Sequence, residues 1–310
     1  MPLPTPLLHA LQEAHLKVAL DADLSRRSWW RAGGPADGFV KVTSVEQLQA
    51  CQAAALACGC PVFVVGNGSN LLISDRGIRG LVVRLTGGLA RVEAAGGAPP
   101  KLRVGGGVRL VSLMKQAVRE SWTGFEQLTG IPGTMGGAVR MNAGTHMGEV
   151  SDALESVEVV LEDGAVQTLN AGKLGLAYRQ SELPPRSIVA QATLRTTGAD
   201  AAKSAALIQE HLGYRERTQP IDVPTCGSTF RNPPGEKAGR LIDQCGLKGH
   251  RIGGAEVSTK HANFLVNTGD ATADDLRGLI EHVQHTVAER TGIELQREVH
   301  FAGDWSHWAP

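Results

Sequence analysis

The stretch Gly124–Gly148, GFEQLTGIPGTMGGAVRMNAGTHMG, is rich in glycine, holds one proline and is almost free of charge. Glycine lets a backbone take φ > 0 or approach a ligand closely. Clustered glycines also leave N–H groups free to converge on an anion, as in phosphate nests. A flexible surface loop is the alternative, but Ile131, Met135, Val139 and Met141 are too apolar for a solvated linker. A tight, partly buried wall around a phosphorylated cofactor explains both features better. Two further segments are glycine-centred, Arg31–Asp37 (RAGGPAD) and Val64–Asp75 (VVGNGSNLLISD). None of the three is a P-loop, because no Gly-Lys-Ser/Thr follows. Gly66-Asn67-Gly68 lacks the third glycine of the dinucleotide fingerprint, and Leu71 stands there. Several glycine loops from separate strands enclosing one long ligand point to a flavin dinucleotide in a crevice.

Other chemistries find less support. The five cysteines are odd in number and contain no CxxC pair, and Cys58 and Cys60, flanking one glycine, read as packing. Histidines are scattered without HExxH spacing, so no metal site is expected. Lys+Arg and Asp+Glu both total 31, a zero net charge that argues against nucleic acid or an acidic membrane as the main partner. No run of 18 apolar residues occurs, and the N-terminus lacks the basic-then-apolar pattern of a signal peptide. The expectation is a cytoplasmic protein acting on small molecules as a monomer. Its 310 residues suffice for two domains.

The elements that must position these segments are legible in the periodicity. Val45, Leu48, Cys51, Ala55 and Leu56 recur at helical spacing, and Pro61 to Val65 reads as a buried strand running into Gly66-Asn67-Gly68-Ser69-Asn70. Leu81–Leu85 and Lys101–Val104 read as strands, the latter followed by the turn signal Gly105-Gly106-Gly107. Leu110, Leu113, Met114, Ala117 and Val118 give a helical stripe. Ser156–Leu161 and Ala165–Leu169 form a hairpin around Asp163-Gly164, and Ser187–Arg195 is another strand of that sheet. Composition shifts near Thr197, and Ala199–Arg217 reads as a helix leading into a second domain. Thr272 and Asp275 make a capping-box start, and Gly292 a stop. In a last strand, Ile293–Phe301, alternation puts Glu294, Gln296, Glu298 and His300 on the polar face. The class is α+β in two or three lobes.

The ordered segments RAGGPAD, VVGNGSNLLISD, GIPGTMGGAVRMNAG, AYRQSEL, CGSTFRNP, AGRLIDQCGLKG, KHANFLVN and ELQREVHF carry a resemblance. Together, from Arg31 to Phe301, they resemble the UDP-N-acetylenolpyruvoylglucosamine reductase family, flavoenzymes of peptidoglycan precursor synthesis. The resemblance implies an FAD-binding domain of the vanillyl-alcohol-oxidase type in two lobes and a smaller α+β substrate-binding domain. The corresponding divisions are an N-terminal segment 1–30, an FAD-binding domain 31–198 split near 85–105, a substrate domain 199–297, and a strand and tail 298–310. It also implies non-covalent FAD, with NADPH as co-substrate.

In such a reaction NADPH reduces the flavin, and hydride from FADH2 N5 then reaches the terminal enol carbon of an enolpyruvyl sugar nucleotide. Negative charge spreads over the adjacent carbon and carboxylate, which need a fixed cation and a proton source. By motif match Arg179 is the catalytic arginine, and its planar fork suits an enediolate better than a lysine would. Ser228 matches the proton donor; a hydroxyl is a weak acid, adequate only for a strongly basic, carbanion-like centre. Glu298 matches the second-half carboxylate, either protonated or aimed at polarising its neighbours. Substrate contacts fall on Tyr178, Arg215, Gly227, Arg231 and Asn232, the last two beside the diphosphate. FAD contacts fall on Gly66, Asn67, Gly68, Ser69, Asn70, Gly130, Ile131, Pro132, Gly133, Thr134, Gly136, Gly137, Asn142 and Gly144.

The sequence departs from the family at several points. Arg231 stands where lysine is frequent, Thr145-His146-Met147 replaces an aromatic-glycine pair, and His300 stands where arginine is usual. Seven residues separate Arg179 from the strand at Ser187, the mark of a shorter subclass without the inserted tyrosine loop. A related flavin oxidase would keep the glycine loops but has no need of Ser228 and Glu298; a covalent link through His146 would favour it. A catalytically silent nucleotide-binding protein would be free to lose Arg179, Ser228 or Glu298, and all three are present.

Overall fold

The computed structural model describes residues 2–308. Its chain forms two compact units, each drawn from separated segments. The first comprises the chain up to Leu20, Asp37–Asn67 and Gly80–Gly213; the second comprises Asp21–Ala36, Gly68–Arg79 and the chain from Tyr214 onward.

In the first unit, the helix Val45–Ala57 starts at Ser44, whose hydroxyl accepts from Gln47 N, a normal N-cap. It buries Leu48, Cys51 and Ala55 against Val40, Val42, Leu81 and Val83, with Leu7 and Leu11 of the helix Thr5–Glu13 in the same cluster. These strand residues belong to a four-stranded sheet ordered Val18–Asp23, Pro35–Val42, Ile78–Leu85, Val62–Val64. Val62–Val64 runs parallel to Ile78–Leu85 and delivers the chain into the Gly66 loop.

A five-stranded sheet completes the unit in the order Val166–Asn170, Leu154–Val160, Ile188–Leu194, Lys101–Gly105, Val92–Ala95. The hairpin expected around Asp163-Gly164 is present, with Val160 opposite Val166. Leu110, Leu113, Met114 and Ala117 form the buried face of the helix Leu110–Glu120, whereas Val118 is exposed. The glycine run after Lys101–Gly105 is a place of close approach as well as a turn. A Cβ on Gly106 would lie 2.0 Å from the Val189 carbonyl oxygen, so only glycine lets these strands meet the turn.

The second unit has its own apolar centre, in which Trp30 and Leu72 join Phe230, Leu241, Ile242, Leu265, Leu276, Leu279, Ile280, Val283 and Val287. Full burial of each large side chain is worth roughly 1.5–3 kcal/mol. Trp30 is also held by polarity: its Nε1 donates to Leu265 O at 2.8 Å, and its carbonyl accepts from Asn267 Nδ2 at 2.7 Å. The sheet here runs Thr225–Ser228, Phe264–Asn267, Ala255–Val257, Arg251–Ile252. The expected capping box opens the helix Ala273–Thr291, and Gly292, at φ 72°, closes it by donating to Ala288 O.

The C-terminal segment departs from expectation. Hydrogen-bonded strand is confined to His300–Ala302, parallel to Leu71–Ile73; Phe230 and Arg297 share one isolated bridge. Leu295 and Val299 lie inside and Glu294, Gln296 and His300 are exposed, as the alternation predicts, but Arg297 breaks it by being exposed on the apolar parity. Side-chain patterning records which face is apolar; it does not record whether a partner strand is available over the whole length.

Candidate active site

Within the first unit, a cavity of about 280 Å3 is walled by glycine and arginine. Gly66, Thr134, Gly136 and Gly137, all expected to hold cofactor, line it together with Gly106 and Gly107. Arg84, Arg109 and Arg140 also line it, and no carboxylate does. Burial pushes the Arg140 guanidinium below its ordinary value, and its Nη2 donates to Ser187 O at 2.6 Å. The short helix Met135–Arg140 is pinned by its first N–H groups, Met135 N to Val108 O and Gly136 N to Gly106 O. At Gly137 a Cβ would meet nothing nearer than Thr134 Oγ1 at 3.7 Å, so a side chain there would occupy the cavity. Glycine walls, hydroxyls and three arginines fit the phosphorylated part of a dinucleotide such as FAD.

The remaining cofactor candidates divide by role. Asn67 Nδ2 donates to Pro132 O at 2.5 Å, which ties the Gly66 loop to the turn Gly130–Gly133. Ile131 packs on the apolar cluster beneath that turn, and Gly133 O accepts from Leu110 N at 3.0 Å. Gly68, in the second unit, has φ 66°, and a Cβ there would lie 1.9 Å from Arg27 O; the loop cannot close with any other residue. Ser69 follows it, and Asn70 Nδ2 donates to Glu298 O at 3.1 Å while Asn70 O accepts from His300 N.

Asn142 is almost fully buried at 1 % exposure, and its amide is committed inside the protein. Its Nδ2 donates to Glu149 Oε2 at 2.7 Å and to Ala177 O at 3.1 Å, and its Oδ1 accepts from Ser151 N at 3.0 Å. It therefore braces the turn that carries Arg179. That arginine has φ 58°, a left-handed conformation disfavoured for a non-glycine residue and frequent at functional sites. Arg179 Nη2 donates to Gly144 O at 3.1 Å, its Nη1 lies 3.7 Å from Glu149 Oε1, and its Cζ sits 4.8 Å from the Tyr178 ring centroid. His146, the histidine of the covalent-flavin alternative, has its ring centroid 4.9 Å from that of His211.

Ser228, Arg231, Asn232 and Glu298 lie together in the second unit. Thr225 pairs with Val266 and Ser228 with Phe264, so the Ser228 strand carries one extra residue between these pairs. Gly227, at φ 78°, takes up that bulge, a device that re-aims a side chain next to many active sites. Glu298 N donates to Thr229 O at 2.8 Å, and Arg231 N donates to Gln296 O at 2.8 Å. The segments that hold Ser228 and Glu298 are thus joined side by side. Asn232 Oδ1 accepts from Ala238 N at 3.1 Å and so serves the helix Ala238–Gln244. Arg215, in the last turn of the helix Ala201–Thr218, is pushed below its ordinary pKa by burial. Cys226 is pushed up to about 12 by burial; its thiol faces the Gly68 and Leu71 carbonyl oxygens and is no nucleophile at neutral pH.

Sequence reasoning missed three groups. Arg84 and Arg109 stand outside every motif, and only the cavity brings them together. Asp75 closes the second glycine motif; its carboxylate accepts from Ala273 N and Asp274 N, both at 3.0 Å, at the start of a helix almost 200 residues away. Glu149 directly follows the glycine block, and no spacing rule flags it. Among the described residues, no group of three or more His, Cys, Asp or Glu could hold a metal ion, and no helix is long and apolar enough to cross a membrane.

This α+β chain with an arginine- and glycine-walled cavity matches known flavoproteins. A family model described as FAD binding domain matches residues 36–170, and one described as UDP-N-acetylenolpyruvoylglucosamine reductase, C-terminal domain, matches residues 219–302. UDP-N-acetylenolpyruvoylglucosamine reductase 2 of Symbiobacterium thermophilum is 44 % identical over 290 residues, which cover 93 % of this chain and 92 % of the relative. A namesake from Nostoc punctiforme is 46 % identical over 290 residues, 93 % of this chain and 87 % of its own. The crystal structure of the Thermus caldophilus enzyme superposes with a TM-score of 0.80 at 38 % identity, covering 93 % of this chain and 98 % of that one. The chain belongs to the UDP-N-acetylenolpyruvoylglucosamine reductase family.

Proposed function

We infer that this protein reduces the enolpyruvyl group of UDP-N-acetylglucosamine enolpyruvate, giving UDP-N-acetylmuramate for peptidoglycan. It does so as a cytoplasmic monomer with non-covalent FAD, and NADPH is the reductant. The observation that carries the reading is family membership along nearly the whole chain with Arg179, Ser228 and Glu298 all in their motifs. FAD, when bound, supplies the hydride carrier. Arg84, Arg109 and Arg140 offset its diphosphate charge, and the glycine walls allow the close approach.

The chain's own residues do the rest. Arg179 supplies a fixed guanidinium for the substrate carboxylate and for the enediolate charge that develops as hydride adds to the terminal enol carbon. Its left-handed backbone, its hydrogen bond to Gly144 O and its contact with the Tyr178 ring set its direction before substrate arrives. Ser228 gives its proton to the adjacent carbon, held at the bulge by the Phe264 strand. Glu298 polarises that end of the site from the stretch bound to Thr229. Arg231 and Asn232 take the diphosphate, and Tyr178 and Arg215 are further substrate contacts.

An anaerobic stopped-flow record of the visible spectrum tests the reading. Bleaching of the flavin band by NADPH, then its return on adding the enolpyruvyl sugar nucleotide, is the expected result. A band restored only by oxygen would make the protein an oxidase, and a colourless protein that does not take up FAD would remove the flavin altogether.

A further inference from the structure

We propose that Glu149 is the positioning residue of Arg179, fixing the guanidinium that meets the substrate carboxylate. This rests on the reductase reading of Arg179. The Glu149 carboxylate does three things at one point of the first unit. It faces Arg179 Nη1 at 3.7 Å, accepts from Asn142 Nδ2 at 2.7 Å, and accepts from the backbone N–H of Asp152 in a capping box. The box is reciprocal, since Glu149 N donates to Asp152 Oδ2 at 2.8 Å. Its position is therefore set by the short helix Val150–Ala153 and by a buried amide, independently of the arginine.

Asn142 connects the two sides. It donates to Glu149 and to Ala177 O, the first residue of the turn Ala177–Gln180 that holds Arg179 at φ 58°. Backbone and head group of the arginine are thus referred to the same buried amide. Gly144 O fixes Nη2, Glu149 fixes the Nη1 side, and Tyr178 lies under the plane. Arg179 is 16 % and Glu149 28 % exposed, so solvent screens the pair only in part.

The spacing of 3.7 Å is informative in itself. It is longer than a hydrogen bond yet within ion-pair range, so Glu149 orients the cation without a closed bidentate fork. A tighter pair would compete with the substrate carboxylate for the same donors. A neutral residue would remove the charge that faces the Nη1 side, and misplacement of a catalytic group by about 1 Å can cost about a hundredfold in rate.

Glu149→Gln keeps length and one acceptor oxygen for the buried N–H donors while removing the charge; Glu149→Asp keeps the charge one methylene short. Both are made in the full-length holoprotein and compared with wild type in three measurements. These are flavin reduction by NADPH, single-turnover reoxidation at saturating enolpyruvyl sugar nucleotide, and calorimetric affinity for UDP-N-acetylmuramate. For Glu149→Gln, reoxidation is expected to fall about tenfold or more. Flavin reduction and nucleotide affinity should each stay within about threefold, because the diphosphate contacts are intact, and Glu149→Asp should recover part of the loss. Reoxidation within about twofold of wild type overturns the proposal, and so does a parallel fall in both half-reactions, which would make Glu149 a fold residue. A wild-type protein that the sugar nucleotide does not reoxidise would instead refute the reductase reading.

Discussion

For Ser228, the proposed proton donor, placement is what the chain controls. Its strand carries one residue more than its partner between Thr225 and Ser228, and Gly227 absorbs it. The neighbouring thiol of Cys226 is pushed up to about 12 and turned onto the Gly68 and Leu71 carbonyl oxygens, whereas Ser228 is the residue proposed to give the proton. Ser228→Ala should leave NADPH-dependent bleaching within about twofold of wild type and slow reoxidation by the sugar nucleotide about 10²-fold or more, in rapid-mixing traces. Equal loss of both half-reactions would mark Ser228 as structural. At this scale the sequence is most legible where a residue type is bound to a motif, and the motifs that hold Arg179, Ser228 and Glu298 are those that led to the family. It was silent on Glu149 and Asp75, because a carboxylate's meaning lies in what folds against it.

The elements carry the fold by pairing distant segments, and their ends are where stability can be tested. The helix Ala273–Thr291 has two sets of N-terminal acceptors, its own Thr272–Asp275 box and the carboxylate of Asp75. Charge-assisted bonds from a carboxylate to first-turn N–H groups also favour the helix dipole. Asp75→Ala should lower stability by about 1–2 kcal/mol in denaturant titration, and Asp75→Asn by less. The same unit should lose stability on acidification. Burial holds His261 below its ordinary 6.5, and Asn263 N donates to its Nδ1, fixing the neutral ring. Burial first, and then His250, stacked 4.2 Å away, lower His282 as well. A histidine depressed in the folded state contributes full stability above pH 6.5; below that the unfolded chain takes up protons more readily, and the contribution fades as pH falls toward the folded value. Melting temperature should therefore drop between pH 7.5 and 5.5, and His261→Gln should make that slope shallower. Helical stripes and the hairpin at Asp163-Gly164 were readable because local periodicity and turn chemistry set them. The strand expected over Ile293–Phe301 shrank to His300–Ala302, because partner length is a tertiary fact.

At the scale of the whole molecule, order along the chain and order in space part company. Domain divisions read from sequence are continuous by construction, whereas the second unit gathers Asp21–Ala36 and Gly68–Arg79 with the chain after Tyr214. The physical reason is apolar demand. The elements from Thr225 to Thr291 leave a core position filled by Trp30, which is fully buried, and another filled by Leu72, while Asp75 supplies the helix cap. Losing a buried aromatic costs about 3–5 kcal/mol and a buried leucine about 2–5, which together reach the net stability of a typical domain, about 5–15 kcal/mol. A fragment spanning residues 214–310 should therefore stay largely unfolded on its own, with poorly dispersed amide resonances and no cooperative melt. Within the full chain, Trp30→Ala should cost about 3–5 kcal/mol, measured by chemical denaturation of the unit's hydrogen-exchange-protected amides. A fragment that melts cooperatively by itself would show that the two early segments decorate this unit rather than complete its core.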